Sequence, residues 1–268
     1  MTTDTAKDPA TDASDDWKQW HERRVAAVSA PYGPLGLVGT YWLEDFPDGR
    51  LPDTPGTWVA EGDAVVLTAG GSDGLTVDGK PFSGRTRLGA DTGPVDAARV
   101  AHGGRRLVVL VREGVVGVRH YDPDSATRRR FSGIDATPYD ARWSVPGRFT
   151  PYGEERTVRV PNADGRERGL GLGGELAFVL DGRRHTLRVS VQGDGSLWAV
   201  FADATSGVSS YRFRFLYSGA PDADGRTTVD FNRAVLPPCA FVDAFLCPFP
   251  PPGNTYDVAV EAGERNLV

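Results

Sequence analysis

The stretch ELAFVLDGRRHTLRVSV, residues 175–191, most clearly indicates the fold. In its second half, apolar Leu187 and Val189 alternate with polar residues, which is the pattern of a strand with one buried face. Asp181-Gly182 separates the two halves, and an Asp-Gly pair between strand-like runs is typical of a two-residue hairpin turn. The stretch therefore predicts two antiparallel strands joined by a tight turn.

The same arrangement recurs along the chain. LVVLVR at residues 107–112 and VVGVRHY at residues 115–121 flank Glu113-Gly114 and predict a second hairpin. Asp-Gly pairs begin at Asp48, Asp73, Asp78, Asp164, Asp181, Asp194 and Asp224. Turns at this spacing predict a mainly β protein with antiparallel sheets, arranged as a sandwich or in a barrel-like way, and with one N-terminal α-helix.

The N-terminal residues carry a different pattern. Residues 1–13 are small, polar and acidic, and we expect a disordered tail because they cannot bury enough apolar surface. Ser14 is the predicted N-cap of a helix that ends before Pro31, with acidic residues in its first turn and arginines near its end. The predicted packing stripe of this helix consists of Trp17, Trp20, His21, Val25 and Val28.

Two prolines and two glycines at residues 144–155 interrupt the strand-like runs. This segment predicts a connection between an N-terminal helix with a small β unit, residues 14–145, and a C-terminal β unit, residues 156–268. The two units pack as one globule or stand as separate domains.

Composition excludes several classes of protein. The chain has 268 residues, 40% of them hydrophobic, and a formal net charge of −6. An acidic chain without a basic tract lacks the electrostatic pattern of nucleic-acid binding and is repelled by anionic membranes. The apolar run 107–111 is far shorter than the roughly 20 residues that span a bilayer. With no secretory signal in the acidic N-terminus, we expect a cytoplasmic protein.

The most unusual stretch is VDFNRAVLPPCAFVDAFLCPFPPPGN, residues 229–254. Its prolines stiffen the backbone and remove hydrogen-bond donors. Cys239 and Cys247 within it are expected to be reduced thiols in the cytoplasm, although their separation permits a disulfide in an oxidising compartment.

The order of the motifs WHERR, GVRHYD, DATSG, YRFRFL, DFNRAVLPPCAF, CPFPPPGN and EAGE resembles the DUF1684 family of prokaryotic proteins, over nearly the whole folded chain. The resemblance implies a common β-rich fold and assigns no activity. By motif position it draws attention to Arg119, Asp203, Arg214, Asp230, Asn232, Arg233, Cys239, Cys247, Asn254 and Glu264.

Three kinds of site compete for these residues. In the first, Arg119, Arg214 and Arg233 bind a carboxylate or phosphate, while Asp203 or Asp230 acts as general base. The alternative is that each Arg-Asp pair is a structural salt bridge.

In the second, Cys239 or Cys247 is a nucleophile, which requires a nearby base or positive charge to hold the thiolate, and His120 and His185 are the strand-placed candidates. The alternative is a cysteine that serves as a small buried hydrophobic residue.

The third is a metal site, which the four scattered histidines do not favour. Oxygen atoms of Asp230, Asn232 and Glu261 are the set that suits a hard cation. The glycine-rich segment 169–175 does not open a helix, so no nucleotide is predicted.

These arguments predict a small-molecule enzyme of the hydrolase or isomerase type that takes an anionic substrate and needs no cofactor or metal. The predicted catalytic residues are Asp203, Asp230 and Cys239, and the predicted substrate-binding residues are Arg119, Arg214, Asn232, Arg233 and Asn254. The alternative function is a noncatalytic ligand-binding or scaffold module in which the Asp, Arg and Asn cluster is structural. No nucleic acid or membrane partner is expected, and the oligomeric state stays open.

Overall fold

The computed structural model describes residues 9–268, with side chains from Asp12 onward, and forms two compact units. One consists of residues 26–131, and the other combines the described residues up to Val25 with residues 132–268. This division differs from the predicted boundary at residues 144–155.

The helix α1 spans Pro9–Val28 and begins five positions before the predicted cap. Proline is tolerated in the first turn of a helix, where its missing N–H has no intrahelical partner. Trp17 and Val28 are the buried members of the predicted stripe. The predicted disordered tail falls largely on residues 1–8, which lie outside the described residues.

The unit of residues 26–131 is built from antiparallel strands and one short helix. These are β1 (Leu37–Trp42), β2 (Thr57–Glu61), β3 (Ala64–Ala69), β4 (Leu75–Val77), β5 (Lys80–Pro81), β6 (Gly84–Gly89), β7 (Val100–His102), β8 (Arg105–Arg112), β9 (Val115–Tyr121) and α2 (Ala126–Arg130). One sheet has the order β1-β9-β8-β7-β4-β5 and the other the order β2-β3-β6. Trp58, Val65, Leu67, Val100 and Val118 are fully buried in the core of this unit.

The other unit contains the C-terminal strands. These are β10 (Ile134–Ala136), β11 (Ser144–Pro161), β12 (Glu167–Leu180), β13 (Arg183–Val191), β14 (Leu197–Phe201), β15 (Arg214–Ser218), β16 (Arg226–Asp230) and β17 (Glu264–Leu267). They form an antiparallel sheet of order β15-β14-β13-β12-β11-β16 and a β10-β17 pair. The core contains Leu187, Phe201, Val229, Phe231 and Ala234.

Single 3-10 turns connect several of these elements, at Pro34–Gly36, Leu43–Asp45, Gly71–Asp73, Val95–Ala97, Ala141–Trp143, Phe231–Arg233 and Pro238–Ala240.

The predicted mainly β, antiparallel fold class and both hairpins are confirmed. Leu180 pairs with Arg183 across Asp181-Gly182, and β8 pairs with β9 across Glu113-Gly114. Asp181 has φ 48° and Gly182 has φ 74°, the left-handed values that a type I′ turn requires at both central positions.

The segment 144–155 lies inside β11 rather than between domains. Its second proline and glycine coincide with a register shift between Pro151 and Arg156 in the ladder with β12. A bulge accommodates residues that a regular ladder excludes, so the long strand continues past them.

In the described part of the chain, no helix combines the length and apolar character needed to cross a membrane. The cytoplasmic location stays a prediction.

Candidate functional site

Asp203 and Arg214 form an ion pair in the interior of the unit that contains β10 to β17. In the β14–β15 ladder Arg214 lies opposite Phe201. Phe201 precedes Asp203 by two positions in the chain. Arg214 Nη2 donates to Asp203 Oδ2 at 2.7 Å, and the two side chains are 1% and 0% exposed. The sequence predicted a substrate clamp and a general base at these positions, whereas the structure pairs them with each other.

The other polar atoms of Asp203 and Arg214 form hydrogen bonds mostly with neighbouring groups of the protein. Arg214 Nη1 donates to the Ala262 carbonyl and Nη2 also donates to the Val260 carbonyl, the latter at 2.9 Å. Asp203 Oδ1 accepts from the Thr205 amide at 2.8 Å and from the Thr205 hydroxyl at 2.7 Å. Of the side-chain nitrogen and oxygen atoms of this pair, Arg214 Nε alone is buried without a hydrogen-bond partner among the described residues.

Burial opposes ionisation of Asp203, but the charge of Arg214 and the hydrogen bond from Thr205 outweigh it and hold the pKa of this carboxyl below its ordinary value. A carboxylate that is ionised, paired and without exposure to solvent is a poor general base. These contacts favour the structural interpretation of Asp203 and Arg214.

Asn232 is fully buried and ties the loop after β16 to two other segments. Its Oδ1 accepts from the Asp140 amide at 3.0 Å, and its Nδ2 donates to the Asp140 carbonyl and to Asp230 Oδ1. The Asn232 carbonyl accepts from Trp17 Nε1 of α1 at 2.8 Å. Both ends of the amide are therefore used within the fold.

Arg233, like Asn232, binds α1 to the loop after β16. Its Nη2 donates to Asp16, its Nε lies 3.3 Å from Asp230 Oδ2, and its guanidinium stands over the Trp20 ring at 5.3 Å. Asp230, predicted as a catalytic base, thus pairs with Arg233 through one oxygen and with Asn232 through the other.

Asn254 and Glu264 are also internal supports, each with no exposure. Asn254 Oδ1 accepts from the Arg188 amide at 2.8 Å, and Nδ2 donates to the Arg188 and Val200 carbonyls at 2.9 Å. The Glu264 carboxylate accepts from Arg24 Nε at 3.1 Å and from a backbone amide of the loop after β16. Asn254 therefore joins β13 to β14, and Glu264 holds α1.

Arg119 belongs to the unit of residues 26–131. It lies on β9 opposite Thr40 of β1, and its Nε donates to Thr40 Oγ1 at 3.3 Å. The hydrogen bond to Thr40 is made within the sheet to which Arg119 belongs.

Cys239 lies in the turn Pro238–Ala240 and is buried, as is Cys247, and the two sulfurs are not joined in a disulfide. The Cys239 amide donates to Cys247 Sγ at 3.2 Å, and Tyr211 Oη lies 3.7 Å from Cys239 Sγ. His185, a predicted base for Cys239, instead stacks on Phe178 with 5.6 Å between the ring centroids. The other predicted base, His120, lies on β9 of the other unit.

A cavity of about 500 Å³ opens where β11, β12, β13 and β16 meet. We call it the arginine groove, and its lining consists of Val145, Pro146, Gly147, Arg148, Ala177, Phe178, Val179, Arg184 and Arg226. None of the three arginines that line this groove was predicted as a site residue from the sequence.

Strand register places the three arginines of the groove on one face. Arg148 lies opposite both Ala177 and Arg226, and Arg184 lies opposite Val179. Directly opposed residues of antiparallel strands project from the same side, as do residues two apart on one strand. The two-residue turn at Asp181-Gly182 determines that Arg184 faces Val179, so this pairing could be predicted from the sequence. The positions of Arg148 and Arg226 depend on the register of β11 and β16, which the local sequence does not determine.

Metal binding finds little support in the geometry. Among the described residues there is no group of three or more His, Cys, Asp or Glu side chains placed to hold a metal ion. The oxygens of Asp230 and Asn232, considered as ligands for a hard cation, already accept hydrogen bonds or face Arg233.

Comparison with known proteins gives a family and, among solved structures, a protein of similar sequence. The chain is 32% identical to an uncharacterised protein from Haloarcula marismortui, whose solution NMR structure has a TM-score of 0.44. The similarity covers 52% of this chain and 78% of that one. No curated protein matches the chain.

The family model described as "Protein of unknown function (DUF1684)" matches residues 129–265, just over half of the 268 residues. The predicted resemblance was broader, because the WHERR and GVRHYD motifs lie outside this match. The matched segment includes the Asp203–Arg214 pair, both cysteines and the arginine groove. The chain belongs to the DUF1684 family.

Proposed function

We propose that the unit containing β10 to β17 binds a small anionic molecule with an apolar part in the arginine groove. The observation that carries the proposal is the convergence of Arg148, Arg184 and Arg226 around an apolar surface. This keeps the predicted anionic ligand but moves it away from Arg214 and Arg233, whose charges are met by protein groups.

The charges of the groove are available to a ligand. No hydrogen bond or ion pair is found for the Arg148 and Arg184 side chains among the described residues, and both are exposed, although the charge of Arg148 acts on Asp222. Arg226 pairs with Asp224 and lies 3.9 Å from Asp222 Oδ2, but the side chains of Arg226, Asp224 and Asp222 are 65%, 62% and 52% exposed. An exposed pair of this kind contributes only about 0–1 kcal/mol, so an anion can compete for the guanidinium.

The groove also offers apolar contact. Val179 is 52% exposed between the arginines, and Ala177 and Pro146 extend this surface. The volume of about 500 Å³ falls within the range of small-molecule sites. Guanidinium groups bind carboxylates and phosphates through paired hydrogen bonds, so an aromatic or aliphatic carboxylate or phosphate is the expected class of ligand.

Binding without catalysis is the function that the lining favours. Among the described residues that line the groove there is no Asp, Glu, His or Cys to transfer a proton or attack a substrate. We therefore place the noncatalytic ligand-binding module ahead of the hydrolase or isomerase, which stays a prediction.

The test is a titration of the full-length protein with phenyl phosphate, benzoate and neutral benzyl alcohol, followed by calorimetry and thermal unfolding. We expect the two anions to bind and to raise Tm with concentration, and the alcohol to bind far more weakly. Arg184→Gln should weaken phenyl phosphate binding by about 10- to 100-fold, since a charged hydrogen bond contributes roughly 1.5–3 kcal/mol.

Arg183→Gln is the matched control, because Arg183 is the neighbouring exposed arginine of β13 and does not line the groove. It should leave the affinity unchanged. Absence of binding by both anions at millimolar concentration, or equal losses in Arg183→Gln and Arg184→Gln, would refute the proposed site.

A further inference from the structure

We propose that Cys239 is a peroxide-reactive thiol and that Cys247 is its resolving partner, so that hydrogen peroxide converts the pair into a reversible disulfide. This site is separate from the arginine groove, and the two proposals stand or fall independently.

The two cysteines lie next to each other in the fold. Cys247 Sγ accepts a hydrogen bond from the Cys239 backbone amide at 3.2 Å. The sulfur of Cys247 is therefore close to the residue that carries the Cys239 sulfur. The chain between them doubles back, with the Phe241 amide bonded to the Pro238 carbonyl at 3.0 Å. Disulfide formation requires such proximity.

Backbone hydrogen bonds hold Cys247 in this position. Its carbonyl accepts from the Ala163 amide at 2.9 Å, and the preceding Leu246 carbonyl accepts from Asn162 Nδ2 at 2.9 Å. The Phe249 amide donates to the Pro161 carbonyl, also at 2.9 Å. The end of β11 therefore anchors the proline-rich segment that carries the thiol.

Polar side chains lie close to the Cys239 sulfur. Tyr211 Oη lies 3.2 Å from the Cys239 carbonyl and 3.7 Å from its sulfur. Burial and the adjacent Cys239 raise the pKa of Tyr211 to about 12, so its hydroxyl stays protonated and can donate to a thiolate. The Arg212 guanidinium stands over the Phe249 ring at 4.6 Å and brings a positive charge to the same place.

These neighbours stabilise the reactive form of the sulfur. The hydrogen bond with Cys247 outweighs burial and, together with Tyr211 and Arg212, lowers the pKa of Cys239 to about 7. Thiolate, rather than thiol, is the nucleophile towards peroxide, and ordinary cysteine has a pKa of about 8.5. Near neutral pH a substantial fraction of Cys239 is therefore ionised.

The burial of the two sulfurs favours a small oxidant over a bulky one. Cys239 is 2% exposed and Cys247 is 5% exposed, beneath a half-buried Tyr211 and an exposed Arg212. Hydrogen peroxide is little larger than water, whereas bulky thiol reagents need a wider opening.

The reaction balances in two steps. The Cys239 thiolate attacks one peroxide oxygen, the O–O bond breaks, and hydroxide leaves and takes up a proton, which gives water and Cys239 sulfenic acid. The Cys247 sulfur then attacks Cys239 Sγ, the S–O bond breaks and a second water leaves. The two sulfurs lose two electrons in total and the peroxide gains them, and dithiothreitol reverses the change.

The test treats the reduced full-length protein with hydrogen peroxide and follows intact mass and the peptide map. We expect loss of two hydrogen atoms and a peptide linked through Cys239 and Cys247. The pH dependence of the rate should have a midpoint near 7, whereas the urea-unfolded chain should show a midpoint of about 8.5.

Variants separate the roles of the two sulfurs. Cys247→Ser should stop at a Cys239 sulfenic acid that dimedone traps, and Cys239→Ser should abolish the fast reaction. Arg212→Gln should move the midpoint of the rate upward, whereas Arg183→Gln should not move it. Circular dichroism verifies that each variant is folded, and the linked peptide and the pH profile of the wild type test the proposal without any variant.

The proposal is overturned if both thiols of the folded wild type stay reduced under peroxide. It is equally overturned if they oxidise separately without a linked peptide, or if the rate follows the pH profile of the unfolded chain.

Discussion

Replacing Asp203 with Asn tests whether the Asp203–Arg214 pair is structural. The substitution keeps the size of the side chain and removes its charge, so Arg214 keeps a positive charge with 1% exposure and no counter-ion. Breaking a buried ion pair on one side costs roughly 3–5 kcal/mol, because the remaining charge is neither paired nor hydrated.

The carboxamide also disturbs the other side of the pair. Asp203 Oδ1 accepts from the Thr205 and Val260 amides at 2.8 and 3.2 Å, and Oδ2 accepts from Arg214. Whichever way the amide is turned, its NH₂ group faces a donor. We therefore expect Asp203→Asn to lower the free energy of unfolding by an amount in the upper part of the range of roughly 3–5 kcal/mol.

Thermal unfolding by circular dichroism measures the effect. At roughly 2–4 °C per kcal/mol for chains of this size class, the expected fall in Tm is about 6–20 °C. Asp135→Asn is the control, because Asp135 and Arg265 form a pair at 2.8 Å whose side chains are 38% and 43% exposed. That change should lower stability by less than about 1 kcal/mol.

The effect should depend on pH in a defined direction. Because the pKa of Asp203 in the folded protein lies below its ordinary value, the pair contributes fully above about pH 4. The contribution is lost as pH falls through the folded-state pKa, so the advantage of the wild type should shrink in acid. A Tm within about 2 °C of the wild type at pH 7 would refute the buried-pair argument.

Three further substitutions test other internal supports by urea unfolding. Glu264→Gln weakens a charged hydrogen bond to an arginine of α1 and another to the Leu236 amide, and should cost roughly 1.5–3 kcal/mol. Asn254→Ala leaves the β13 backbone groups that it bonds unsatisfied and should cost at least about 2 kcal/mol, and no change would contradict its role. Gly263 has φ +75°, and an alanine there places its Cβ 2.6 Å from a backbone carbonyl oxygen. Gly62 has φ +66° with open space around it, and we expect Gly62→Ala to lower the free energy of unfolding by about 1–2 kcal/mol. Gly263→Ala should lower it by more. Equal losses in the two glycine variants would show that the close contact relaxes.

The hairpins were predictable because a two-residue turn determines register. Once Asp181-Gly182 adopts the left-handed turn, Leu180 must face Arg183, and the alternation along β13 then decides which side is buried. The continuation of β11 through the proline-containing segment 144–155 was not predictable, for the opposite reason. A bulge is defined by the partner strand, which the local sequence does not contain.

The polar residues singled out in and near the proline-rich stretch could not be given a role from the sequence, because the groups that they contact come from distant segments. Arg214 is bonded to carbonyls at Val260 and Ala262, and Asn254 is bonded to Arg188, 66 positions away. Whether an arginine faces a ligand or a carbonyl depends on these distant segments, so composition could not separate a substrate clamp from a structural support.

The sequence by itself determined the antiparallel β class, the two tight hairpins and the family resemblance, because period-two alternation and turn chemistry act between neighbouring residues. Only the tertiary structure decided that the predicted Asp, Arg and Asn cluster is internally paired, and that Arg148, Arg184 and Arg226 surround an open groove. Burial and electrostatic pairing are properties of chain segments brought together by folding, and they depend on strand order and register rather than on local pattern.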